Sequence, residues 1–120
     1  MSFRTSGTAR SATTEGERSI ARWMESEKAV ARQLATMKAN GSITGFTRYE
    51  RDAAGLRETA DFLVTAERKG RAVRRRFAVS TSLGAQRTRQ GLFPRMRVLC
   101  IPADTKPTTI ERRVLALFTR

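Results

Sequence analysis

The chain has 120 residues, 24 of them Lys or Arg and 11 Asp or Glu, so its formal charge is +13; with no histidine, it stays strongly basic at any physiological pH. That length holds one domain with a modest core, not two domains around a cleft. The lack of histidine excludes Ser-His-Asp and Cys-His nucleophilic sites, imidazole zinc sites and a histidine general base, and the single Cys100 excludes an intramolecular disulfide and a thiolate cluster.

Residues 1–14 (MSFRTSGTARSATT) are rich in Ser and Thr and poor in apolar side chains, and are expected to form a disordered basic arm ahead of a single domain over 15–120. They lack the apolar stretch of a secretory signal, although a Ser/Thr/Arg-rich start leaves organellar targeting open. Thr14-Glu15-Gly16-Glu17 has capping-box spacing and opens a helix of about 22 residues. Its apolar stripe is Ile20, Trp23, Met24, Val30, Ala31 and Leu34, and Asn40-Gly41 ends it. At 100° per residue, Glu27 falls about 20° from the middle of that stripe, whereas Glu25 falls about 140° away. A carboxylate aimed at a core requires a cation, a metal or water, and Arg48 or Arg75 would supply a structural ion pair.

After Gly41 the period changes. Strands are expected at 43–50, 60–66, 72–82 and 97–102, with Asp52-Ala53-Ala54-Gly55 and Glu67-Arg68-Lys69-Gly70 as connections. The hairpin around Gly70 is the clearest, because Phe62, Val64 and Ala66 alternate before it and Val73, Phe77 and Val79 after it. Residues 83–96 carry Gly84, Gly91 and Pro94 and fit either a loop or a short broken helix. The uninterrupted Val98-Leu99-Cys100-Ile101 run has the character of a strand covered on both faces. Pro107 then opens a second amphipathic helix with Ile110, Val114, Leu115, Leu117 and Phe118. The order is α-β-β-β-(α)-β-α: an α/β or α+β single domain with a mixed four-stranded sheet flanked by helices.

The charge is concentrated. Six of the nine residues 68–76 are basic (Arg68, Lys69, Arg71, Arg74, Arg75 and Arg76), and Arg87, Arg89, Arg95 and Arg97 follow in the next connection. In a strand Arg74 and Arg76 share one face and Arg75 takes the other. Twenty of the 24 basic residues are arginine, whose fork suits phosphate oxygens. Like charges this dense repel one another unless an anion neutralises them. Trp23, Phe46, Tyr49, Phe62, Phe77, Phe93 and Phe118 mostly sit in apolar patterns expected to be core, which favours phosphate contact with little base readout over base stacking.

Asp61 opens a strand that otherwise looks buried, where acids are uncommon. With Glu27 on the preceding helix and the order of elements over about 15–120, the chain resembles the PD-(D/E)xK, or restriction endonuclease-like, superfamily. In that family a helix glutamate, an aspartate opening the second strand and an E-x-K on the third bind magnesium and activate water. The resemblance implies catalytic roles for Glu27 and Asp61, with Asp61 a metal ligand if the chain cleaves. It departs from the family at Ala60, where proline is usual, and at Ala78, Val79 and Ser80, where the third-strand glutamate and lysine should stand. Glu67-Arg68-Lys69 is a literal E-x-K, but it falls at the hairpin turn, about 20 Å along the strand from Asp61.

The expectation is therefore a nucleic-acid-binding protein on a nuclease-like fold, DNA being favoured over RNA. It needs no cofactor, or magnesium only if an active endonuclease. A small basic subunit or scaffold docking on a ribonucleoprotein or another acidic partner is the other alternative. A double-stranded RNA-binding domain shares part of the order, but the final helix here begins Thr105-Lys106-Pro107-Thr108-Thr109, not with a lysine cluster. No apolar run approaches the roughly 18 residues that span a membrane. The lone cysteine fits a reducing, intracellular location such as cytoplasm or nucleoid.

Overall fold

Each change of sequence period becomes a change of element in the computed structural model, which describes residues 6–49 and 61–119. Helix α1 (Ser6–Ala39) leads to strands β1 (Gly45–Arg48), β2 (Phe62–Arg68) and β3 (Arg71–Ser80). Helix α2 (Leu83–Leu92), strand β4 (Arg97–Cys100) and helix α3 (Pro107–Leu115) follow, and α3 tightens into a 3-10 turn at Ala116–Phe118. The strands lie in the order β1-β2-β3-β4, the first three antiparallel and β4 parallel to β3. The protein is thus a small α+β domain with a mixed four-stranded sheet and three helices.

Two expectations about α1 are corrected. Residues 6–14, expected to be an arm, are helical backbone, and Thr14 lies inside the helix, not at its start. Extending a formed helix fixes one residue per hydrogen bond, far cheaper than nucleating it, and no proline interrupts 6–14. The buried stripe is also turned from the expected one. Among the described side chains it comprises Ser26, Glu27, Val30, Gln33, Leu34 and Met37, while Met24 is exposed. The turn brings two polar side chains to partners: Gln33 donates to Glu111 of α3 at 3.2 Å, and Glu27 accepts from Arg48 at the end of β1. The helix stops as expected. Gly41 has φ 86°, and Ser42 N–H to Met37 C=O with Gly41 N–H to Lys38 C=O completes a Schellman motif.

The β2–β3 hairpin turns on Lys69 and Gly70, both with positive φ (55° and 76°), the two-residue geometry that matches strand twist. Cross-strand partners share a face, so Phe62 with Phe77, Ala66 with Val73 and Phe46 with Val64 define one face. The rings of Phe62 and Phe77 stack at 5.4 Å. Val30, Leu34 and Met37 of α1 and Ile110, Val114 and Leu117 from the α3 end close over this face to form the main core. Arg75 also lies on it, at its rim, where Nε donates to Leu117 C=O at 2.9 Å and the guanidinium stands 5.8 Å from the Phe118 ring.

The second face carries Thr47, Leu63, Thr65, Arg74 and Arg76, then the buried Ala78, Ser80, Val98 and Cys100 near α2. Residues 83–96, left open between loop and helix, are helical as far as Leu92. Ser82 caps the start by accepting from Ala85 N–H. The outer ends of the expected strands 43–50 and 60–66, and the Asp52–Gly55 connection, fall among residues 50–60, outside those described. Among the described residues no helix is long and apolar enough to cross a membrane.

Candidate nucleic-acid interface

Strand alternation decides the fate of the arginine run. Arg74 and Arg76 project together from the second face and are exposed; Arg71 and Lys69, at the hairpin end, are exposed as well. Arg75, on the opposite face, is held by Leu117 C=O, and Arg68 lies 5.2 Å from the Phe118 ring. These two pack the C-terminal turn against the sheet, so of the six basic residues of 68–76 they are set apart from the exposed four. Arg87, Arg95 and Arg97 are exposed around α2 and the start of β4. Among the described residues, none of Lys69, Arg71, Arg74, Arg76, Arg87, Arg95 and Arg97 is in an ion pair.

Arg89 is set apart in another way. It points inward from α2 and its Nη1 meets Asp61 Oδ2 at 3.2 Å, with the two side chains 12% and 9% exposed. The same Oδ2 accepts from Val79 N–H at 2.8 Å, just beyond the last β2–β3 pair. Asp61 therefore extends the strand ladder with its side chain and fastens α2 to the sheet. A buried carboxylate needs such partners, since leaving it uncompensated costs several kcal/mol.

Glu27 faces the sheet, as its helical position predicts, and Glu25 faces solvent. Its Oε1 accepts from Arg48 Nη2 at 2.9 Å and from Nε at 3.2 Å. Of the two sheet arginines offered by the sequence, Arg48 takes the pair and Arg75 does not. The two carboxylates that the family resemblance would place on one metal ion are thus each turned to an arginine. Among the described residues no three His, Cys, Asp or Glu side chains gather where a metal ion would be held. Ala78, Val79 and Ser80 occupy the buried end of β3, and Lys69 of the literal E-x-K stands in the hairpin turn at the other end.

What the sequence did not disclose is the company that Arg76 keeps. It lines a cleft of about 310 Å³ with Tyr49, Leu63 and Arg74. It also lines a second of about 500 Å³ with Leu92, Phe93, Pro94, Arg95 and Met96. Tyr49 and Phe93, expected in the core, are only partly buried, and neither belongs to the main apolar cluster. Tyr49 follows β1 directly and Phe93 ends α2, so chain spacing alone gave no sign that Arg76 stands between them. A third cleft, of about 540 Å³, lies at the end of β3, where Arg22 and Trp23 of α1 approach Ser80, Thr81, Thr88 and Arg89.

No family model matches this chain, and no curated protein or solved structure matches it.

Proposed function

We propose that the protein binds nucleic acid, DNA in preference to RNA, chiefly through the phosphate backbone. The carrying observation is that Arg74 and Arg76 stand exposed side by side on one face of β3, without a carboxylate partner among the described residues. Two guanidinium groups held at the repeat of one strand face are repelled by each other and attract a chain of phosphates. Lys69 and Arg71 lengthen the row at the hairpin end, and Arg87, Arg95 and Arg97 flank it near α2. Net charge of +13 adds long-range attraction at low salt.

The scaffold is in this reading restriction endonuclease-like, supported by the order of a helix, a three-strand meander, a helix, a strand and a final helix. Binding is favoured over cleavage, because Glu27 and Asp61 already engage Arg48 and Arg89 and the third strand offers neither glutamate nor lysine. An intracellular setting follows from the ligand.

Salt titration tests the proposal. On duplex DNA, log K falls with log salt by about 0.9 per neutralised phosphate, so Arg74→Gln with Arg76→Gln should flatten the slope by about 1.8. Arg75→Gln, which touches Leu117 and not solvent-borne phosphate, should lower stability and leave the slope unchanged. An unaltered slope in the Arg74/Arg76 variant refutes this face as the binding surface.

A further inference from the structure

The two clefts that share Arg76 form a continuous track. Tyr49, just past β1, and Leu63 of β2 lie on the second face beside Arg74 and Arg76 of β3, and Phe93, Pro94 and Arg95 continue it beyond the sheet. Adjacent strands are about 4.8 Å apart and Tyr49 lies two residues along from the Thr47, Leu63 and Arg76 row, so Tyr49 and Arg76 are separated by about 12 Å. Along this path an aromatic ring, two guanidinium groups, a second ring and a third guanidinium succeed one another. Leu92, beside Phe93, is 68% exposed, an apolar side chain left open next to Arg76 and Arg95.

A duplex offers a track of this kind only half of what it provides. Its phosphates can meet the arginines, but its bases are stacked on each other and present no free face to Tyr49 or Phe93. An unpaired strand uses both, its phosphates on the guanidinium groups and its bases on the rings, and the pairing of a charged groove with aromatic platforms is sequence-tolerant because every base has a π-face. The remaining lining of the clefts, Leu63, Leu92, Pro94 and Met96, is apolar. A ribose lying there would set its 2′-hydroxyl against apolar side chains that offer it no acceptor, so a deoxyribose fits better.

Resting on the phosphate-binding reading above, we infer that the preferred ligand is single-stranded DNA, laid across the strands from Tyr49 to Phe93. Bases stack on those two rings, Arg74 and Arg76 hold the phosphates between them, and Arg95 holds the phosphate beyond Phe93.

Fluorescence anisotropy with a short labelled oligothymidylate, a mixed-sequence duplex of the same length and the matching oligouridylate tests this on the full chain. The single DNA strand should bind at least tenfold more tightly than either of the others. Tyr49→Ala and Phe93→Ala should each weaken oligothymidylate binding about tenfold, within the range for loss of one stacked base, and leave duplex binding unchanged. Tyr49→Phe, which keeps the ring, should restore wild-type affinity, and urea unfolding of each variant separates lost stacking from lost structure. Equal affinity for duplex and single strand, or no effect of either ring removal, overturns the inference while the phosphate-binding reading stands. Equal affinity for the oligouridylate overturns the choice of sugar. Failure to bind any of the three at low salt overturns the reading on which it rests.

Discussion

Helices α2 and α3 are of similar length and flank the same sheet, yet they are held by different forces. Helix α3 buries Ile110 and Val114 in the main core, and Leu117 and Phe118 of the turn that follows continue the contact. Helix α2 buries no residue. It is fastened by polar groups: Gln86 Nε2 donates to Val98 C=O at 2.8 Å, Arg89 pairs with Asp61, and Gln90 donates to Phe93 C=O. Apolar contact tolerates small shifts because many weak contacts share the energy, whereas a directional bond weakens steeply once its geometry is lost. The difference matters for function, since α2 ends at Leu92 and Phe93, the wall of the cleft that Arg76 shares.

The largest effect that tests this contrast is expected from Ile110→Ala, at the centre of the α3 contact. Removing its buried side chain should cost about 3–4 kcal/mol in urea unfolding and lower the stability of the whole domain. A loss below about 1 kcal/mol would show that α3 is not anchored by burial.

Next comes Arg89→Met, which leaves the Asp61 carboxylate buried with Val79 N–H as its remaining donor. About 3 kcal/mol should be lost, and adding Asp61→Asn should recover part of it, because the uncompensated charge is then gone. If the double variant is as unstable as the sum of the two single ones, Asp61 and Arg89 do not fasten α2 as a coupled pair.

Smaller still is Gln86→Ala, which removes one hydrogen bond from α2 to β4 and should cost about 1 kcal/mol. Its sharper readout is amide exchange: protection should fall in α2 and remain in α3, since local opening of a helix with no buried residue need not disturb the core. Equal loss of protection in both helices would erase the distinction between them.

How much of this was legible follows from the same contrast. The stretch 107–118 announces a helix because Ile110, Val114 and Leu117 recur at helical spacing behind Pro107, and the structure places all three inside. The stretch 83–92 has no apolar period to read. Its inward positions, 86, 89 and 90, are Gln, Arg and Gln, whose partners come from β4, from Asp61 just before β2, and from the loop after α2. Helical position placed Glu27 toward the sheet, and Arg48 was one of its two candidate partners. Which arginine would close the pair depended on β1 reaching α1, a tertiary fact.

The alternation of β3 similarly determined, from sequence alone, that Arg74 and Arg76 would share a face and Arg75 would not. It could not say which face would be roofed. That was decided by the packing of α1 and α3 over Phe62, Val64 and Phe77, which turned Arg75 and Arg68 into supports for the C-terminal turn and left Arg74 and Arg76 exposed. Composition determined that the protein is strongly basic and has no histidine chemistry, and local periods determined the order of its elements apart from α2. The meeting of Tyr49, Arg76 and Phe93 was settled only in three dimensions. Contacts between residues far apart in sequence arise from strand pairing and crossover packing, and no local pattern in the chain encodes them.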